Sequence, residues 1–94
     1  MKAFRVTVNG KPLCTAGIGA LGVLHVIVDW VRRKGERRDG EFDFSIGGLD
    51  TASEEHIRWS VPQIGVGDEI TIRVVESDEI DTPTKQYSRS EAPG

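Results

Sequence analysis

Phe4, Val6 and Val8 alternate with Arg5 and Thr7, a period of two that predicts a strand with one apolar face. Asn9-Gly10 follows, two residues that tolerate positive φ, so the chain is expected to reverse in a tight hairpin and return along Lys11 to Thr15. A glycine-rich, almost uncharged connection from Ala16 to Gly22 leads to the apolar run Val23–Arg33. Lys34 to Gly40 is charged, bounded by glycines and without apolar residues, which predicts a solvated loop. Phe42, Phe44 and Ile46 resume the alternation, and Gly47-Gly48 is expected to weaken or bulge the end of that strand. Asp50 to Glu54 is a polar turn, and Ile57, Trp59 and Val61 form another strand until Pro62 ends it or displaces it to an edge. Gly65 to Asp68 turns the chain once more, and Ile70, Ile72 and Val74 against Thr71 and Arg73 make the clearest strand of all.

Val23–Arg33 fits two periods. At period two, Leu24, Val26, Val28 and Trp30 form one unbroken apolar face, and His25, Asp29 and Arg33 share the other with Val23, Ile27 and Val31. At 100° per residue His25, Asp29, Arg32 and Arg33 fall in one polar arc, as in an amphipathic helix. Arg32-Arg33-Lys34 before Gly35 suits a helix C-terminus. Against the helix stand the β-branched run Val26-Ile27-Val28 and the lack of a capping Ser, Thr, Asp or Asn just before Ala20. The strand is preferred, and with it a mainly β fold: a small antiparallel sandwich of about six strands. The alternative is an α+β domain with residues 20–34 as a helix across one sheet.

The chain has 94 residues, which bounds it to one domain, expected over 1–76. Acids and bases balance up to Val75, and the negative excess lies beyond it, where Glu76, Asp78, Glu79, Asp81 and Glu91 outnumber Lys85 and Arg89. Residues 77–94, with little apolar content, are expected to be a flexible acidic tail. A lone Cys14 excludes an internal disulfide, and with no signal-like or membrane-length apolar run the expectation is a cytoplasmic protein off the membrane.

His25 and Asp29 would be neighbours on a helix, but on a strand they stand about 13 Å apart, too far to share one ion. His56 with Asp50, Glu54 and Glu55 matches no cation-binding loop and is taken as a solvated turn. Gly17, Gly19 and Gly22 spell a dinucleotide-type G-x-G-x-x-G, but they follow a hairpin strand and no ribose-binding acid completes the unit, so the glycines are taken as turn residues. Arg32, Arg33, Lys34, Arg37 and Arg38 form the one dense basic cluster, diluted by Glu36, Asp39, Glu41 and Asp43, which argues against nucleic acid. Trp30 and Trp59 are in phase with apolar neighbours and are expected in the core, as is Cys14. Ser45, Ser53 and Ser60 sit in no nucleophile motif, and neither a cofactor nor a metal is expected.

With the helix in place, the order of elements over about 3–75 resembles the β-grasp fold of ubiquitin and sulfur-carrier proteins, Gly65 to Val75 standing where such domains have their last strand. That resemblance implies carrier chemistry at a diglycine carboxyl terminus, whereas this sequence ends Ala92-Pro93-Gly94. Val8-Asn9-Gly10-Lys11, Gly47-Gly48-Leu49-Asp50 and Val66-Gly67-Asp68-Glu69-Ile70 together are similar to small uncharacterised bacterial proteins, which implies no known activity. The expected function is a non-catalytic protein-interaction or self-association module. A homodimer would form through the mixed face of Val23, His25, Ile27, Asp29 and Val31. The alternative is a small-ligand or anion-binding domain using the basic loop 32–38 with Arg58 or Arg73.

Overall fold

Alternation becomes strand pairing throughout the chain. The computed structural model describes residues 1–88, the last four through their backbone pairing, and no helix occurs among them. β1 (Lys2–Val8), β2 (Lys11–Gly17) and β6 (Ile70–Glu76) form one antiparallel sheet in the order β2-β1-β6. β3 (Gly22–Val31), β4 (Glu41–Asp50) and β5 (Glu55–Trp59) form the second in the order β3-β4-β5. A short seventh strand, β7 (Lys85–Ser88), adds to β5. The all-β sandwich expected from the sequence is therefore the fold, and Gly22–Val31 supplies the longest edge strand among the described residues, with Arg32 and Arg33 in the loop after it and no helix there. None of the described residues forms a helix long and apolar enough to cross a membrane.

Asn9 and Gly10 take φ of 52° and 80°, the mirror-image turn whose twist matches that of paired strands. The turn also anchors β6. The Asn9 side-chain amide donates to the Asp68 carboxylate (3.0 Å), its oxygen accepts from the Glu69 N–H (2.9 Å), and Asp68 in turn accepts from the Gly65 N–H (2.8 Å).

Val6, Cys14 and Ala16 of the first sheet meet Phe44, Ile46, Ile57 and Trp59 of the second in the core, with Ile18 from the β2–β3 connection closing one end. Registers Val6↔Cys14 and Ile46↔Trp59 put these residues on inward faces, as alternation requires. Gly47-Gly48 neither bulges nor ends β4, which pairs in unbroken register with β3 from Gly22↔Asp50 to Val31↔Glu41. Glycine is required there by close approach. A Cβ on Gly48 would stand 2.0 Å from the Val23 carbonyl oxygen, and one on Gly47 would stand 2.6 Å from that of Ile57.

The boundary expected at residue 77 does not coincide with the end of the hydrogen bonding. Ile80 packs against Gly17, where a Cβ would lie 2.7 Å from its Cγ2, and Asp81 exchanges bonds with Thr15: N–H to carbonyl at 2.9 Å and carboxylate from N–H at 2.7 Å. The buried Trp59 indole N–H donates to the Asp81 carbonyl (2.9 Å), and the Ser60 N–H donates to the Thr84 hydroxyl (2.9 Å). The rest of the expected tail, 89–94, lies outside the described residues.

Candidate functional site

Inward-facing positions are not all covered. Along β3 the inner face is Leu24, Val26, Val28 and Trp30, opposite Gly48, Ile46, Phe44 and Phe42 of β4. Leu24 and Val26 pack on the core, but Val28, Trp30 and Phe42 are 49, 55 and 40% exposed, because the β3–β4 hairpin runs past the end of the facing sheet. Trp30 is therefore not a core residue, unlike Trp59. Its indole N–H holds the hairpin loop by donating to the Asp39 carbonyl (2.8 Å). The radius of gyration, 14.8 Å, exceeds the roughly 12 Å of a compact domain of this length, consistent with a projecting hairpin.

The outer face of β3 carries Val23, His25, Ile27, Asp29 and Val31, in register with Leu49, Gly47, Ser45, Asp43 and Glu41. Val23 is 56% exposed and Ile27 43%, Asp29 is exposed, and His25 and Val31 are half-buried. The His25 ring lies beside Gly47, and its Nδ1 is buried with no hydrogen-bond partner. Asp29 stands directly opposite Asp43, a like-charge pair that two-stranded pairing disfavours. β3 has β4 on one side and no strand on the other among the described residues. Its second row of backbone donors and acceptors is thus left unpaired over ten residues, with apolar side chains exposed on both faces.

All five cations of the expected basic cluster, Arg32, Arg33, Lys34, Arg37 and Arg38, are exposed on the β3–β4 loop, with Arg33 3.6 Å from Glu36. Arg58 and Arg73 do not join them. Arg58 lies opposite Gly47, six residues along the ladder from the loop, or roughly 20 Å. Arg73 is on the first sheet, opposite Arg5. His56 pairs in register with Leu49 on β5, and no group of three or more His, Cys, Asp or Glu among the described residues is placed to hold a metal ion. Gly17, Gly19 and Gly22 serve the β2–β3 connection, Gly22 at φ 143° against the Leu49 carbonyl.

An open cleft of about 570 Å³ lies between the start of β1 and the start of β3, floored by Phe4, Ile18 and Leu24. Lys2 and Glu76 on its rim already pair with each other at 2.6 Å, which leaves little to orient a ligand. Cys14 is buried, and desolvation, with the Asp81 carboxylate adding to it, pushes its thiol up from the usual range, which makes it a poor nucleophile. Comparison with protein-family models, with curated proteins and with solved structures finds no match to this chain.

Proposed function

We propose that this chain is a non-catalytic interaction module whose working surface is the free edge of β3. The observation that carries this reading is the edge itself: ten residues, unpaired among the described residues, with no proline and no lysine, and with Val23 and Ile27 exposed on one face and Val28 and Trp30 on the other. An unsatisfied row of N–H and C=O groups supplies affinity for an added strand, and the flanking apolar side chains supply contact area.

Amide hydrogen exchange across Val23–Val31 tests this at low and high micromolar protein, and again with an excess of a peptide of the sequence of residues 22–31. Exchange at the edge-facing amides slows with concentration or with peptide. Equal rates in every condition would overturn the reading.

The basic loop supports a second reading, anion binding, because Trp30 places an exposed aromatic ring against a loop bearing five cations. Nucleotides and polyanions then raise the melting temperature in a thermal-shift screen, and no shift with any of them removes it.

A further inference from the structure

We infer that the strand added to β3 is β3 of a second copy, antiparallel, about a twofold axis at Ile27. This rests on the reading of β3 as an association edge and adds to it a partner and a register. The outer-face sequence is self-complementary when reversed: Ile27 meets Ile27, Val23 meets Val31, and His25 meets Asp29. On the inner face the same register sets Leu24 against Trp30 and Val26 against Val28, so every apolar residue of the strand meets an apolar residue. A shift of the axis by one residue, to Val26 or Val28, sets Val against His or Asp on the outer face and loses both His–Asp pairs.

Asp29, poorly served within the protomer, gains a donor in this register, the Nε2–H of the partner copy's residue 25. His25 keeps Nδ1 buried and unpaired, which is less costly for a bare acceptor than for an N–H, so the ring proton belongs on Nε2, where it can be donated. Asp29 faces the carboxylate of Asp43 across the β3–β4 pair. Opposed residues in an antiparallel pair have Cβ atoms about 5 Å apart, within reach of an imidazole and a carboxylate, and the twofold axis makes this contact twice. The paired edges exchange about eight to ten backbone hydrogen bonds and join the two four-stranded sheets into one continuous sheet.

Cysteine placement reads the register directly, with the buried Cys14 of the native chain as the unreactive control. Under mild oxidation Ile27→Cys gives a disulfide-linked dimer. Val23→Cys alone gives none, because the two copies of residue 23 are about 26 Å apart in this register. An equal mixture of Val23→Cys and Val31→Cys does cross-link. In sedimentation, His25→Asp weakens the dimer about tenfold or more by opposing carboxylates, and His25→Asp with Asp29→His restores it. Cross-linking by Val23→Cys or Val31→Cys alone overturns the register while leaving β3 an association edge. If no variant cross-links but the β3 amides are still protected by the peptide, the antiparallel register about Ile27 is overturned and the edge reading stands. The absence of both cross-links and protection overturns the two together.

Discussion

β2 and β3 are both outer strands, one in each sheet, and their free edges are treated in opposite ways. β2 carries Lys11 and Pro12 at its start, a register shift beside them that leaves Leu13 without a partner, and Asp81 bonded to both the N–H and the carbonyl of Thr15. Charge, proline, bulge and a covering segment are the means by which sheets avoid pairing with other chains. Among the described residues β3 has no proline, no bulge and no covering segment over its ten residues, Asp29 is its one full charge, and its exposed side chains include Val23, Ile27, Val28 and Trp30. The proposed association surface is the edge that the fold leaves open. The closing device on β2 comes from a segment some 66 residues away in sequence, so the protection of an edge need not be written on the strand it protects.

The largest effect is expected where β3 is laid on β4. Gly48→Ala places a Cβ against the Val23 carbonyl and the Leu24 Cα, both backbone, so relief requires β3 to move. Unfolding in urea should show a loss of about 3 kcal/mol or more, and a variant of native stability would mean that the two strands approach less closely than described. Asp81→Ala comes next. It strips the acceptor from the Thr15 N–H and so uncovers that donor on the β2 edge, while leaving the main-chain bonds of residue 81 to the Thr15 carbonyl and the Trp59 indole in place. A loss of about 1–2 kcal/mol is expected, with faster exchange at the Thr15 amide and new association through β2. If the edge stays silent once uncovered, Lys11, Pro12 and the bulge suffice, and Asp81 serves stability alone.

Much of this contrast is legible in the residues, and the remainder fails for identifiable reasons. The Asn9-Gly10 hairpin, the strand at Val23–Arg33 and the split of its residues between two faces follow from period two and from residues that accept positive φ. Alternation says which way Trp30 points but not how far the facing sheet extends, so a residue in phase with the core is left 55% exposed. It is equally silent on which strand is outermost, and the edge character of β3 emerges only with the sheet order. Gly47-Gly48 resembles a weak strand end because glycine has no side chain to pack, when the tight backbone approach is what needs glycine there. Composition averaged over 77–94 conceals the contributions of Ile80 and Asp81. Local pattern does not separate Arg58 and Arg73 from the loop cations; the ladders do.

Acid offers a gentler way to separate the two sides. Hydrogen bonds from Asn9 and from the Gly65 N–H hold Asp68 below the usual carboxylate range, and Lys2 with the N-terminal ammonium does the same for Glu76. A carboxylate lowered in the folded state contributes stability that is present above its unfolded pKa and is lost as pH falls through the folded one. Both groups lie in the first sheet or at its ends. Below about pH 4 the Asn9–Asp68 contact and the N-terminal clamp should therefore loosen, seen as faster exchange at Glu69 and Ser77, with little change at the β3–β4 pairing. Asp68→Asn should remove most of the pH dependence at Glu69. Loosening that begins at β3–β4 instead would reverse the assignment of the two sides.

The smallest effect on the protomer is expected from the substitution that most changes association. Ile27→Lys gives β3 the guard that Lys11 gives β2, at the residue where the proposed twofold axis would oppose two ammonium groups. Ile27 is 43% exposed and opposite Ser45, so the protomer forfeits only part of one apolar side chain, and the lysine stem can lie along the sheet as the isoleucine did. Unfolding of the dilute protein should shift by no more than about 0.5 kcal/mol. Light scattering at high micromolar concentration should meanwhile report a monomer where the native chain reports a dimer. A dimer that survives the lysine would place association elsewhere on the molecule. A protomer that unfolds when it dissociates would show that the open edge of β3 is part of what holds the fold together, and the two edges would then differ only in whether the strand that covers them comes from the same chain.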